Sequence, residues 1–167
     1  MVMNHNVFKG LFIGMMLILV CLIGCSKDVT GDELTASQFV KSHGYAVTES
    51  SGPVHTYELN KSKLYGSPEA TPYMQMWAVQ ASEPDRYFGQ QLTIYRFTVK
   101  NHPLEPIYKK RTHVYIMMSE GKVIGGYSFP DADLAGAVYS LDGRTLEEVT
   151  GMSYADWLEK WKRKYSE

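Results

Sequence analysis

The sequence predicts an α+β fold, with an antiparallel sheet of four or five strands and two or three packed helices. Residues 92–99 alternate in the two-residue period of a half-buried strand. Two further strand-like runs, 112–119 and 123–129, are joined by a Glu120-Gly121-Lys122 turn that is typical of a tight hairpin. Apolar residues recur at helical spacing on both sides of this strand-rich centre, which indicates helices that pack on the sheet.

The first helix is predicted over residues 32–43. It has acidic residues in its first turn and Gly44 as a C-terminal stop. Its apolar face follows the i, i+3, i+4, i+7 pattern, with Ala36, Phe39, Val40 and His43. After it, the segment 45–49 alternates as a strand, and Ser50-Ser51-Gly52-Pro53 carries turn residues. We therefore expect a hairpin there, with a return strand over residues 54–59.

Two more helices are expected further along the chain. Pro68 suits the first position of a helix over residues 68–81. Ser153 can cap a helix that runs to Tyr165, with cations in its last turns. The apolar stripe of this C-terminal helix contains Tyr154, Trp157, Leu158, Trp161 and Tyr165. That stripe can pack on the sheet, lie on a membrane surface or meet a partner; packing on the sheet is the simpler expectation.

The only two cysteines, Cys21 and Cys25, lie at the end of an apolar run from Gly10 to Gly24. The run has 15 residues, whereas a membrane-spanning helix needs about 20. A metal or redox pair is disfavoured, because apolar residues separate the cysteines and their spacing is not C-x-x-C. A short region with Lys9 followed by this apolar run is instead typical of an export signal.

The end of the run, Leu22-Ile23-Gly24-Cys25, resembles the bacterial lipobox. The resemblance implies cleavage before Cys25 and transfer of a diacylglycerol to its thiol, usually followed by acylation of the new amine. It divides the chain into a signal peptide (1–24), a lipid-anchored tether (25–31) and one α+β domain (32–167). Two or three acyl chains would hold the domain stably at the extracytoplasmic face of the cell membrane.

Charge and composition restrict the possible partners. The formal net charge is −1, or −2 without Lys9, and the charged residues are interspersed. This balance excludes the basic surface expected of a nucleic-acid-binding protein. Besides the membrane, we expect a surface protein or a cell-wall component as partner, and no cofactor.

Motifs that would carry chemistry are weak. Ser119 and Lys122 fit S-x-x-K, but a hairpin turn between strands is the better interpretation than the helix that this motif requires. Asp131, Asp133, Gly136 and Asp142 imitate the spacing of a calcium loop, yet Ala135 occupies a ligand position and a bidentate Glu is missing. The histidines at positions 43, 55, 102 and 113 lack metal-ligand spacing. We therefore predict no catalytic and no metal-binding residue.

Three segments resemble an uncharacterised family of small Firmicute lipoproteins, a domain of unknown function. They are the runs 39–47, 91–101 and 113–126, and the resemblance covers about residues 35 to 130. It differs at 102–112 and in the tail from Leu141. The resemblance implies a location and a fold, and it brings no functional residues.

The leading hypothesis is a membrane-anchored, non-catalytic accessory or binding domain at the cell surface. The sheet face or the helix with Trp157 and Trp161 would meet the partner. One alternative is a cell-wall or peptide hydrolase that uses carboxylates brought together by folding. Another is an inhibitor or chaperone-like module that pairs its sheet edge with a strand of its client.

Overall fold

The computed structural model describes residues 31–132, 136 and 138–166. It contains one antiparallel sheet of five strands, as the sequence predicts, in the order β1-β2-β3-β4-β5. The strands are β1 (Ala46–Glu58), β2 (Gln91–Lys100), β3 (Thr112–Ser119), β4 (Lys122–Pro130) and β5 (Tyr139–Ser140). Each strand pairs with the next one along the chain, so the sheet is a simple meander.

Five α-helices accompany the sheet in the described residues: α1 (Gly31–Ser42), α2 (Thr71–Ala78), α3 (Leu104–Tyr108), α4 (Leu146–Thr150) and α5 (Tyr154–Tyr165). The first, second and last of them match the three predicted helices. A 3₁₀ turn at Pro68–Ala70 precedes α2, so the predicted helix 68–81 starts as a 3₁₀ turn and ends three residues early. The two five-residue helices have no counterpart among the sequence predictions, because one turn of helix carries no periodic pattern.

The hairpin between β3 and β4 is as tight as predicted. Glu120 and Gly121 both have positive φ, at 49° and 73°. This is the backbone of a two-residue type I′ turn, whose twist matches that of the flanking strands. The turn sets the register in which Ser119 pairs with Lys122.

The predicted hairpin at Ser50–Pro53 is wrong, because the segment is part of one 13-residue strand, β1. The pairing of β1 with β2 shifts register three times: between Val47 and Glu49, between Ser50 and Gly52, and between Pro53 and His55. These irregularities accommodate Gly and Pro residues within an edge strand. Residues that suggest a turn therefore produce bulges.

One face of the sheet is covered by α1. Ala36 and Val40 on this helix are fully buried against strand residues that include Phe97 and Val114. Glu33, also buried, accepts a 2.5 Å hydrogen bond from the Ser50 hydroxyl on β1. The described chain thus begins on this face, and Asp32 lies beside the Gly121 turn.

The opposite face carries the second apolar cluster, which contains α2 and α5. Trp157 and Trp161 are each only 7% exposed, and Tyr165 is 4% exposed. They pack with Leu92, Ile94 and neighbouring core residues. These three residues of the α5 stripe are therefore part of the core, whereas Tyr154 at its start is exposed. The Trp161 indole N–H also donates a buried 2.8 Å hydrogen bond to the Leu64 carbonyl.

Candidate functional site

Cys25, the predicted lipidation site, lies outside the described residues, as do the predicted signal peptide and the tether up to residue 30. In the part of the chain that the structure covers, no helix has the length and apolar character needed to cross a membrane.

The S-x-x-K residues occupy the β3–β4 hairpin, as expected. The Ser119 hydroxyl donates to Gln90 Oε1 at 2.7 Å and is 3.3 Å from the Gln91 carbonyl. Ser119 is the last residue of β3, and Lys122 is the first residue of β4. The hydroxyl thus stabilises the end of the sheet, in a setting unlike the helix that the motif requires.

The calcium-loop residues are already engaged in other contacts. Asp131 lies 3.2 Å from both Arg111 and His113, and Asp142 accepts from Ser140 at 2.5 Å and from Arg144 at 2.8 Å. Asp133 lies outside the described residues. Within residues 31–132, 136 and 138–166, no three His, Cys, Asp or Glu residues are grouped to hold a metal ion.

The four histidines of the described residues lie on different elements. His43 directly follows α1, His55 is exposed on β1, and His113 lies on β3. His102 is buried in the loop after β2, where Nδ1 accepts from the Leu104 amide at 3.2 Å. Its Nε2 is 3.0 Å from the Leu141 carbonyl, and burial lowers the pKa of this imidazole.

A group of polar and aromatic side chains lies on the face of the sheet that α2 and α5 partly cover, beyond the apolar cluster. Cross-strand pairs place Arg96 beside Tyr115, which pairs with Tyr127, and Thr98 beside His113, which pairs with Phe129. Directly paired residues project on the same face of a sheet. We call this surface the polar sheet face and define it by Arg96, Thr98, His113, Tyr115, Phe129 and Asp131. Tyr115 packs against the apolar cluster beneath α2 and α5.

A chain of hydrogen bonds crosses the polar sheet face. The Thr98 hydroxyl is 3.2 Å from His113 Nδ1, and His113 Nε2 is 3.2 Å from an Asp131 carboxylate oxygen. The other carboxylate oxygen of Asp131 is 3.2 Å from Arg111 Nη2. Because a carboxylate only accepts, neutral His113 carries its proton on Nε2 and accepts from the Thr98 hydroxyl.

The order hydroxyl, imidazole, carboxylate is the one that nucleophilic hydrolases use. Here, however, the hydroxyl belongs to Thr98, which is only 2% exposed and lies within β2. A nucleophile must reach its substrate, and Thr98 is covered by its neighbours. The network is therefore better suited to fix the orientation of His113, whose side chain remains 21% exposed.

Arg96 is the charged centre of the polar sheet face. Its Nε donates a 3.0 Å hydrogen bond to the Ser51 hydroxyl on β1. The side chain is half-buried, and Arg96 pairs with Tyr115 on the neighbouring strand β3. The Tyr115 ring in turn stacks on Tyr127 with centroids 4.7 Å apart and planes inclined by 3°. A cation and a stacked pair of rings thus lie on neighbouring strands of the same face.

Three cavities border α5. One, of about 240 Å³, has Trp77, Lys160 and Lys164 in its wall. Lys164 already contacts Glu83 at 2.6 Å and Asp85 at 2.7 Å, so that its charge is compensated. The second, of about 320 Å³, has mainly apolar walls, and the third, of about 470 Å³, lies between α5 and the segment before α2. None of the three includes a residue of the polar sheet face.

None of the polar-sheet-face residues is predicted from the sequence to form a site. Arg96 and His113 are 17 positions apart, and Asp131 is a further 18 away. The register of three strands brings them together, and no spacing rule encodes that register. The one available indication was a charged residue, Arg96, inside the alternating run 92–99.

No family model, no curated protein and no solved structure matches the chain. The resemblance to a family of small Firmicute lipoproteins remains a prediction.

Proposed function

We propose that this chain is a lipid-anchored binding protein of the extracytoplasmic membrane face, held by a diacylglycerol on Cys25, that captures a protein partner without catalysis. The observation that carries the binding role is the polar sheet face, an aromatic surface with a half-buried, incompletely paired arginine at its centre. The anchor is supported by the lipobox-like sequence and the export-type apolar run that precedes it.

The arrangement of α1 fits this function. The tether would enter at the start of α1, which lies on the face of the sheet opposite the polar sheet face. The anchor and the binding surface would therefore occupy different sides of the domain. A partner could reach the polar sheet face without displacing the helix that follows the tether.

Hydrolysis is the alternative function, and the Thr98–His113–Asp131 chain is the observation in its favour. The burial of Thr98 weighs against it, because the hydroxyl that would attack is covered. Replacing Thr98 by Val would remove any reaction that uses this hydroxyl, whereas the binding function predicts that partner capture persists.

Sheet-edge pairing with a client strand is less favoured. The outer edge of β1 is interrupted by three register shifts and Pro53. At the other side, β5 pairs with Tyr127 and Ser128 of β4, and Gln80 binds the amide of Gly126. Both edges therefore carry features that hinder the addition of a strand.

The anchor is tested with Cys25→Ser in intact host cells. We expect the variant to remain unprocessed at the Gly24–Cys25 bond and to lose its acyl chains, which mass spectrometry of the purified protein detects. Normal processing and unchanged membrane retention of the variant would contradict the anchor.

The binding surface is tested by site-specific photocrosslinking in the same cells. A photoreactive residue is placed at Glu49 or Lys100, which are exposed beside the polar sheet face, or at the exposed Lys162 on α5 as a control. We expect one protein to be crosslinked from positions 49 and 100 and not from 162. Equal labelling from all three positions, or labelling from 162 alone, would refute this surface.

A further inference from the structure

The guanidinium of Arg96 is only partly paired. Its Nε donates to Ser51, whereas its two Nη nitrogens make no hydrogen bond and no ion pair with any residue of the described chain. A guanidinium has five N–H donors, and the Nη pair is the fork that binds a carboxylate with two parallel hydrogen bonds. The Ser51 contact holds one edge of the group and leaves this fork available.

The other arginines are placed differently. Arg111, Arg144 and Arg163 each lie next to a carboxylate, at 3.2, 2.8 and 3.7 Å. Arg86 is exposed, so water solvates its charge. Arg96 thus combines partial burial with the absence of a carboxylate partner among the described residues. Partial burial removes water from a charge, and the cost is offset when an anion binds it.

The acidic residues near Arg96 do not compensate its charge. The acidic residue of the polar sheet face, Asp131, is already shared by Arg111 and His113. Glu49 pairs with Thr98 across the strands but is exposed, and it makes no ion pair with Arg96. An incoming anion would therefore not need to displace an existing ion pair of Arg96.

From this arrangement we infer that Arg96 binds a carboxylate of an acidic peptide segment in a protein partner, with the segment lying across the polar sheet face. The inference rests on the proposed function and adds the chemistry of the partner. A small free anion would gain little on an open surface, where water screens the charge. A peptide adds apolar contacts with the partly exposed rings of Tyr115 and Phe129, which supply contact area at little conformational cost.

The test uses the full chain in detergent micelles and a fluorescein-labelled peptide of alternating Glu and Val. The matched peptide has Gln in place of Glu, and fluorescence anisotropy measures binding. We expect saturable binding of the Glu peptide below about 1 mM, and at least about tenfold weaker binding of the Gln peptide.

Variants assign the effect to one side chain. Arg96→Gln should weaken binding of the Glu peptide about tenfold, and Arg96→Lys should lie between it and the parent because lysine lacks the planar fork. Arg86→Gln, which removes the same charge elsewhere, should leave the affinity unchanged. Glu49→Gln should strengthen binding a few-fold, since it removes a negative charge beside the anion. Thermal unfolding of each variant separates lost binding from lost folding.

The inference would be overturned by the absence of saturable binding to the folded parent or by equal binding of the Glu and Gln peptides. Equal losses for the variants at positions 96 and 86 would overturn it too. Inorganic phosphate or vesicles with anionic lipid competing as well as the peptide would also overturn it, because the carboxylate would then not be selected. Crosslinking from positions 49 and 100 without any effect of Arg96→Gln would refute the carboxylate and leave the binding function standing.

Discussion

The carboxamide of Gln80 joins the end of α2 to the edge of β4 through Gly126. Gln80 Oε1 accepts from the Gly126 amide at 2.9 Å, and Nε2 donates to the Met76 carbonyl at 2.6 Å. A methyl group at Gly125 would overlap the same carboxamide. The absence of a side chain at Gly125 therefore allows Gln80, just after α2, to reach the backbone of β4.

Gly125→Ala is expected to lower the free energy of unfolding by about 1–3 kcal/mol, because Gln80 must move and leave the Gly126 amide unpaired. The effect should nearly vanish in a Gln80→Ala background, where nothing remains to be displaced. Urea unfolding of the two single variants and the double variant measures this coupling. Additive losses would contradict the packing relationship.

Gly126→Ala tests the second glycine of this pair. A methyl group there would lie 2.9 Å from the Tyr115 carbonyl, which is backbone and cannot rotate away. We expect a larger loss of stability than for Gly125→Ala in the same urea experiment. A smaller loss would show that β3 and β4 can separate locally at no great cost.

His102 should make the protein less stable in mild acid. Both nitrogens are used by the neutral ring: Nδ1 accepts from the Leu104 amide, so Nε2 carries the proton and donates to the Leu141 carbonyl. Protonation of Nδ1 would place its N–H against the N–H of Leu104, and neither group could accept. Burial also lowers the pKa of this imidazole. Above pH about 6.5 the ring is neutral in the folded and the unfolded chain. As pH falls below that value the unfolded chain takes up the proton more readily, and the free energy of unfolding decreases.

The control for this pH dependence is His102→Asn, whose oxygen can accept from the Leu104 amide and does not titrate. Urea unfolding at pH 7.5 and 5.5 should show a smaller difference for this variant than for the parent. An identical difference in both proteins would assign the acid sensitivity to other groups.

Trp161→Phe should lower the free energy of unfolding by about 1–3 kcal/mol, because the buried Leu64 carbonyl loses its 2.8 Å hydrogen bond. The ring stays in the core, so the fold should be retained. Thermal unfolding followed by circular dichroism provides the measurement. Tyr154→Phe on the same helix is the control, because Tyr154 is 53% exposed and its change should have little effect.

Lys164→Met should have a small effect, below about 1 kcal/mol, because the ion pairs with Glu83 and Asp85 are partly exposed. Partial burial by itself raises the pKa of Asp85, but hydrogen bonds from Lys164 and Tyr165 lower it overall. The stabilisation is therefore present above the ordinary aspartate pKa of about 3.9 and is lost as pH falls below it.

High salt should also weaken the contribution of the Lys164 ion pairs to the free energy of unfolding. Lys160→Met is the matched control, since this lysine borders the same cavity and makes no ion pair with the described residues. The free energies of unfolding of the parent and both variants are measured at low and at high salt. A salt effect of equal size for the two variants would argue against a specific contribution of Lys164.

The fold was largely readable from the sequence, because alternation in residues 92–99 and helical spacing in 32–43 and 153–165 reflect burial directly. The segment 50–53 was misread because Ser, Gly and Pro favour both turns and bulges, and pairing with β2 decides between the two. The polar sheet face could not be predicted. It depends on which residue of β3 lies opposite Arg96, and turn geometry and core packing together set that register.

His113 and His102 differ in the partner of Nδ1. The partner of His113 Nδ1 is a hydroxyl, which can donate or accept. The partner of His102 Nδ1 is a backbone amide, which can only donate. The buried loop after β2 therefore favours one tautomer of the neutral His102 ring.

The irregular edge of β1 has a consequence for crowding. Proteins tethered to a bilayer share one plane and one orientation, so that like edges meet far more often than they would in free solution. A strand that changes register three times in 13 residues offers no long, straight run of amides to a neighbouring copy. On the proposed membrane surface, β1 would therefore let the molecules collide side by side without polymerising.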